Sequence, residues 1–404
     1  MALENLMSIP LSESESLKAV TTHTQHIQRI SWVDVGKALA IIIIFFYHGI
    51  ERLINQGFPC GTIEGRFLAS FTIPFFFFLS GYVYRERKVG FKDFLLQRFN
   101  RLLVPLFFFN LLSLLILLAI RAWGIYLPVM ELPGSISMKL AGLFLLGLPA
   151  FNGPTWFLTC LFSVQVLCFL VVRCTQSNHG LLTSIVGFSV LGFLIVPFLD
   201  HQYFFLKAVK YAWYIPTALT AIVFFQIGIL SRRISFVRFF NSSGKVWMGL
   251  CLSMGIVVLT FNLNTSAYTG YWKMTYINHL NMGNYVFFYV TALSGILGMI
   301  CLTLLIRLGK VMQFYGNNTL VLLGIDGFFY HYVNPSIGDY CLNHGQTIPW
   351  FFFLVVFIGI AIIQLAACYP LIRPIDKILK YITQSVSAVV FRLRKMNSCL
   401  ASIK

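Results

Sequence analysis

The sequence predicts an all-α, polytopic integral membrane protein of about ten transmembrane helices, with both termini in the cytoplasm. Three observations carry this prediction. First, 58% of the 404 residues are apolar, only 11% are charged and the mean hydropathy is +0.80, whereas soluble domains carry about 25% charged residues. Second, the apolar residues are gathered into runs that approach the ~20 residues needed to cross a bilayer core. Third, the formal charge of +17 is concentrated on alternate connections between those runs. In a soluble protein such a charge would suggest a nucleic-acid partner; here topology accounts for it and no nucleic acid is expected.

The runs lie near 31–52, 67–84, 103–121, 155–172, 181–199, 212–231, 246–263, 285–306, 317–334 and 349–371. A further run, Leu140–Phe151, is short and interrupted by Gly142, Gly147 and Pro149; it reads as a re-entrant or interfacial segment. With the N-terminus inside, all 30 Lys and Arg except Arg52, Arg66, Arg121, Lys139, Lys207, Lys210 and Lys273 fall on the cytoplasmic side, as the positive-inside rule requires. Counting Leu140–Phe151 as a span would invert every later loop and expose the Arg232–Lys245 cluster outside. Residues 1–28 are polar and lack the layout of a cleavable signal peptide, so they read as a cytoplasmic tail. Residues 29–374 form the membrane domain, and 375–404 a basic cytoplasmic tail that begins as an amphipathic surface segment in contact with membrane lipids. The nine cysteines are scattered singly; Cys60 and Cys341 fall in external loops, where they could pair. No Cys/His spacing suggests a metal site, and there is no Walker loop.

Polar side chains inside spans are costly, so each is a candidate functional group. The first span carries Asp34, Lys37 and His48. Lys37 and His48 are eleven residues apart, three turns or about 16 Å along nearly one helix face. Each residue also has a structural reading. Asp34 follows Ser31 as in a capping box, Lys37 could snorkel to headgroups, and His48 could be a hydrogen-bonded core histidine. Against the last, imidazole takes and returns protons near physiological pH. In the second span Pro74 predicts a kink, and Ser80-Gly81 offers a small surface for a helix or a ligand. Arg98 and Arg101, at i and i+3, share a helix face and suit either phosphate oxygens or anionic headgroups. Trp156 opens the fourth span, as part of an aromatic belt or as a stacking surface for a sugar ring. Asn318 opens the ninth. Asp326 lies about halfway through it and needs a partner, for which Lys37 is a candidate; His331 follows just over one turn later.

In these residues the chain resembles the family-three membrane acyltransferases, most closely the subgroup related to fucose 4-O-acetylase. The resemblance runs from about Arg29 to Pro374. It rests on Asp34, Lys37 and His48 in the first span, Phe77–Tyr82 in the second, Arg98, Arg101 and Pro105, Trp156–Leu158, and Gly316–Leu320. The chain departs from the family pattern at Lys37, often arginine, and at Thr72 and Asp326, often histidines, which leaves more of the chemistry to His48.

The resemblance implies O-acylation, usually O-acetylation, of a cell-surface polysaccharide or its lipid-linked precursor at the cell membrane. Acetyl-CoA is the expected co-substrate and no bound cofactor is expected. His48 and Asp34 are the expected catalytic residues, with His48 acting as general base or transient acyl carrier, oriented by a polar neighbour such as Tyr47, Glu51 or Ser80. Lys37, Arg98 and Arg101 are expected to hold the donor. Ser80, Trp156, Asn318 and Asp326 are expected to serve the acceptor or the structure of the site. The competing class is a transporter or flippase of a lipid-linked sugar. The chain has no evident two-fold repeat of hydropathy or of broken helices, which counts against that class.

Overall fold

The computed structural model describes residues 31–56, 59–86, 89–124, 135–175, 177–200, 211–264, 282–306, 309–344 and 349–401. At 59–61, 196–200, 344 and 390–401 it describes the backbone alone. The expected 1–28 tail, Arg29, Lys207, Lys210 and Lys273 lie outside the described residues. No strand occurs among those described.

The helices are α1 (Ser31–Asn55), α2 (Pro59–Ala69), α3 (Thr72–Tyr82), α4 (Phe91–Arg98), α5 (Val104–Ala122), α6 (Ile136–Leu146), α7 (Trp156–Cys174) and α8 (Asn178–Asp200). They continue with α9 (Ile215–Arg233), α10 (Ser243–Thr260), α11 (Tyr285–Leu305), α12 (Lys310–Asn317), α13 (Thr319–Phe328), α14 (Asn334–His344) and α15 (Trp350–Ala401). Nine stretches among the described residues are long and apolar enough to cross a membrane. The tenth expected span, 317–334, is present as a helical run of lower hydropathy. It comprises α13, a π-helical turn Phe329–Val333 and α14, so the chain stays helical past Pro335 to His344. Asn318, Asp326, His331 and Asn334 lower its apolar content. The run near 140–151 is not a span. Helix α6 has only 11 residues and ends at Gly147, whose φ of 66° places it in the left-handed region that glycine enters without steric cost.

Helix α1 lies at the centre of the bundle, against α2, α3, α11, α12, α14 and α15. Its Phe45 and Ile50 have no exposed surface. A second hub is α9, packed against α3, α7 and α8. Small residues permit the closest crossing. A Cβ on Gly81 would lie 1.8 Å from the Phe225 carbonyl oxygen, and one on Gly228 2.2 Å from that of Phe78. The small surface at Ser80-Gly81 therefore serves helix packing.

The kink expected from Pro74 appears as a break between α2 and α3. Pro74 has no N–H to offer the carbonyl of Ser70, and the helix is interrupted there. Helix α15 does not stop near 371. It runs through Pro370 and Pro374 for 52 residues, about 78 Å. The part beyond 374 is held to the bundle by buried Leu379 and by a 2.8 Å hydrogen bond from Asn100 to Ser387.

Candidate functional site

The bundle has two polar ends joined by α1. At the Trp32 end, the Trp32 ring meets Tyr82 with 4.8 Å between centroids. Basic residues collect around them. Arg232 donates to the carbonyls of Tyr82 and Tyr84, Arg233 pairs with Glu86, and Arg98 stacks on Phe94 and Tyr84 at 4.9 and 5.5 Å. At the other end Arg52 pairs with Asp339 at 2.7 Å, Arg66 reaches the Asn262 carbonyl and Trp350 hydrogen-bonds Glu64. There, burial and the neighbouring Arg121 lower the pKa of Lys139.

The expected site residues divide between these ends. Asp34 and Lys37 pair with each other at 3.8 Å, one turn apart. Asp34 stands fourteen residues, about 21 Å of helix rise, from His48, so the two cannot act on one atom. Ser80 lies within a turn of Tyr82 and so near the Trp32 end, away from His48. Asn318 belongs to the joint between α12 and α13. Its amide donates to the Phe314 carbonyl at 2.8 Å, and its own carbonyl accepts from Leu322. Arg98 and Arg101 do not share a face. A π turn at Phe99–Leu103 follows Arg98, and its wider i→i+5 winding rotates the two apart. Arg98 is half-buried against aromatic rings and Arg101 is exposed. Thr72 makes a 2.6 Å hydrogen bond to the Leu68 carbonyl. Cys341 is a free thiol, and no group of three metal-ligating side chains occurs among the described residues.

His48 and Asp326 do come together. His48 Nδ1 lies 2.5 Å from Asp326 Oδ2, and the Asp326 side chain has no exposed surface. Asp326 therefore belongs to His48 and not to Lys37, which is held at the other end of α1 by Asp34. A buried carboxylate on Nδ1 fixes the ring so that Nε2 faces away from it as the proton-accepting atom.

Around this pair sit residues that sequence reasoning passed over or mentioned only as neighbours. Tyr330, on the π turn, stands 5.0 Å from the His48 ring and hydrogen-bonds Glu51. The π turn also directs His331 toward Gly153, whose N–H donates to His331 Nε2 at 2.9 Å. That contact ties the π turn after α13 to the irregular segment before α7, which ends in a 3-10 turn at Gly153–Thr155. The segment is irregular backbone inside the bundle, and buried side-chain amides satisfy it. Asn110 Oδ1 accepts from the N–H groups of Phe151 and Asn152, and Asn110 Nδ2 donates to Leu106 and Thr155. Asn152 Nδ2 donates to Ser113 and to the Gly324 carbonyl on α13. Trp156 follows this turn, with its ring 5.6 Å from Tyr214. Of the expected acceptor-site residues, Trp156 and Asp326 lie on segments joined at the His331–Gly153 contact; Ser80 and Asn318 lie toward the Trp32 end. The signal that could have found Asn110 was its polarity within an apolar span.

An α-helical membrane bundle with a buried His–Asp pair at one end and a basic cluster at the other defines the class of protein: a polytopic membrane protein with a candidate acid–base site. A comparison with known families matches residues 30–368 to acyltransferase family 3, described as an acyltransferase domain. The chain belongs to that family and is a membrane acyltransferase. No curated protein and no solved structure matches it.

Proposed function

We propose that this chain transfers an acyl group, acetyl in the first instance, from acetyl-CoA to a hydroxyl of a cell-surface polysaccharide or its lipid-linked precursor, at the cell membrane. The observation that carries this reading is the 2.5 Å contact between His48 Nδ1 and the fully buried Asp326. His48 Nε2 takes the proton of the acceptor hydroxyl as its oxygen attacks the thioester carbonyl. The C–S bond breaks, and the imidazolium returns the proton to the departing CoA thiolate. Asp326 holds the ring and stabilises the imidazolium. The phosphates of the donor meet Arg98, Arg101 and Lys37 at the Trp32 end, which faces the cytoplasm in this reading. The donor's flexible arm then spans the roughly 16 Å of α1 between Lys37 and His48. Trp156 offers a flat face for the acceptor sugar. Asp34 serves through its pair with Lys37 rather than at the reacting atoms.

The test is His48→Ala in cells whose glycans are analysed by mass spectrometry. The acetyl group on the glycan is expected to disappear while the variant stays membrane-inserted in normal amount. Retained acetylation would refute the mechanism.

A further inference from the structure

Along α1, His48, Glu51 and Asn55 stand at i, i+3 and i+7, so their side chains form one stripe running from the His–Asp pair toward the Arg52 end. Glu51 Oε2, Asn55 Oδ1 and Asp326 Oδ1 are buried and have no hydrogen-bond partner among the described residues. A buried acceptor without a donor is costly, and native proteins keep one only for a reason. Asp326, with no exposed surface, cannot draw that donor from bulk water. The Asn55 oxygen is an acceptor, and the Glu51 and Asp326 oxygens accept when their carboxylates are ionised, so what the stripe then lacks is a set of O–H or N–H donors. Glu51 is placed to share a ligand with the pair, because it interacts electrostatically with both His48 and Asp326. Its hydrogen bond to Tyr330 anchors it beside the His48 ring.

We infer that this stripe is the binding subsite for a second hydroxyl of the acceptor. Glu51 Oε2 receives an O–H adjacent to the one that His48 deprotonates, and Asn55 receives a hydroxyl further out. The ligand class is a sugar presenting a vicinal diol. The inference rests on the acyl-transfer reading above and names the acceptor chemistry of the same site. Glu51 is an acceptor-binding residue here, since the proton transfer belongs to His48.

The experiment uses the full chain in lipid nanodiscs with acetyl-CoA and the methyl glycosides of glucose, galactose, mannose, fucose and rhamnose. It continues with the monodeoxy analogues of whichever is acetylated fastest. In the wild type, removing one hydroxyl next to the acetylated position is expected to lower kcat/KM at least roughly 10-fold, as a site built to bond a hydroxyl rejects the analogue lacking it. In Glu51→Ala that penalty is expected to shrink below about 2-fold, while Glu51→Gln, which keeps an acceptor oxygen, retains most of it. A purely structural role would slow all acceptors alike and leave the penalty unchanged. Equal penalties in wild type and Glu51→Ala overturn the inference and leave acyl transfer standing. No transfer to any glycoside by the wild type overturns both. If Glu51→Ala fails to fold, the comparison is read from Asn55→Ala with the analogue lacking the hydroxyl further out, whose penalty is expected to shrink below about 2-fold; an unchanged penalty there overturns the inference.

Discussion

A carboxylate with no exposed surface inside an apolar bundle must be neutralised, paired or expelled, and at Asp326 the pairing is with an imidazole 278 positions away in sequence. The pair divides the work. In the mechanism proposed above, Asp326 fixes the ring and His48 keeps one nitrogen for chemistry. Asp326→Asn preserves shape and an acceptor oxygen but removes the charge that stabilises an imidazolium, so kcat for acyl transfer is expected to fall about 100-fold or more. The donor KM should stay near the wild-type value, because Asp326 is far from the basic end. An unchanged kcat, read from single-turnover acetyl transfer, would remove Asp326 from the mechanism. His48 and Asp326 were both legible in the sequence as polar residues in apolar spans. Their partnership was not, because no local spacing links the first span to the ninth; Lys37, on the same helix as His48, was the nearer but wrong candidate. His331 was visible as a residue and hidden as a contact, since its partner is a backbone N–H of Gly153.

At the scale of elements, hydropathy located the spans well because bilayer thickness sets run length. What it left out are the places where a helix departs from regular winding. The π turns at Phe99–Leu103 and Phe329–Val333 each rotate the face that follows. One separates Arg98 from Arg101, and the other brings Tyr330 and His331 round to the His48 site. Helix α15 likewise reads as ending near its prolines, yet it continues because Leu379 and Ser387 find packing partners on the bundle. The α3–α9 crossing depends on absent side chains, which apolar periodicity does not register. Gly228→Leu would drive a side chain into the Phe78 backbone. Gly187, also helical, has nothing within 4 Å of an added Cβ. Gly228→Leu is therefore expected to destabilise the bundle by about 1–3 kcal/mol or more. In detergent it should unfold at a clearly lower temperature than Gly187→Leu, which should melt near the wild type; equal melting temperatures would show that the crossing is not tight.

At the scale of the whole molecule, the charge pattern and the chemistry make one joint demand. In the acyl-transfer reading proposed above, a CoA thioester made in the cytoplasm and a glycan displayed outside meet only if the donor site opens inward and the acceptor site outward. The basic rim at Tyr82 and Tyr84 and the His48 stripe that points toward Arg52 sit at opposite ends of α1, an arrangement that suits this demand when the basic rim faces the cytoplasm. Arg238, within electrostatic reach of Tyr82, marks one end. Ile63, 58% exposed on α2, marks the other. With Cys60, Cys174, Cys251, Cys341 and Cys399 replaced by serine, a membrane-impermeant maleimide is expected to label Ile63→Cys in intact cells. It should reach Arg238→Cys only after the cells are permeabilised. The opposite pattern would place Arg98 and Lys37 on the side that holds no acetyl-CoA. Transfer could then proceed only with the donor entering at the Arg52 end, where Arg52 is already paired with Asp339 and the carboxylates of Glu51 and Asp326 lie along the donor's path to His48. That arrangement is electrostatically unfavourable, so the labelling experiment tests the donor path as directly as it tests the topology.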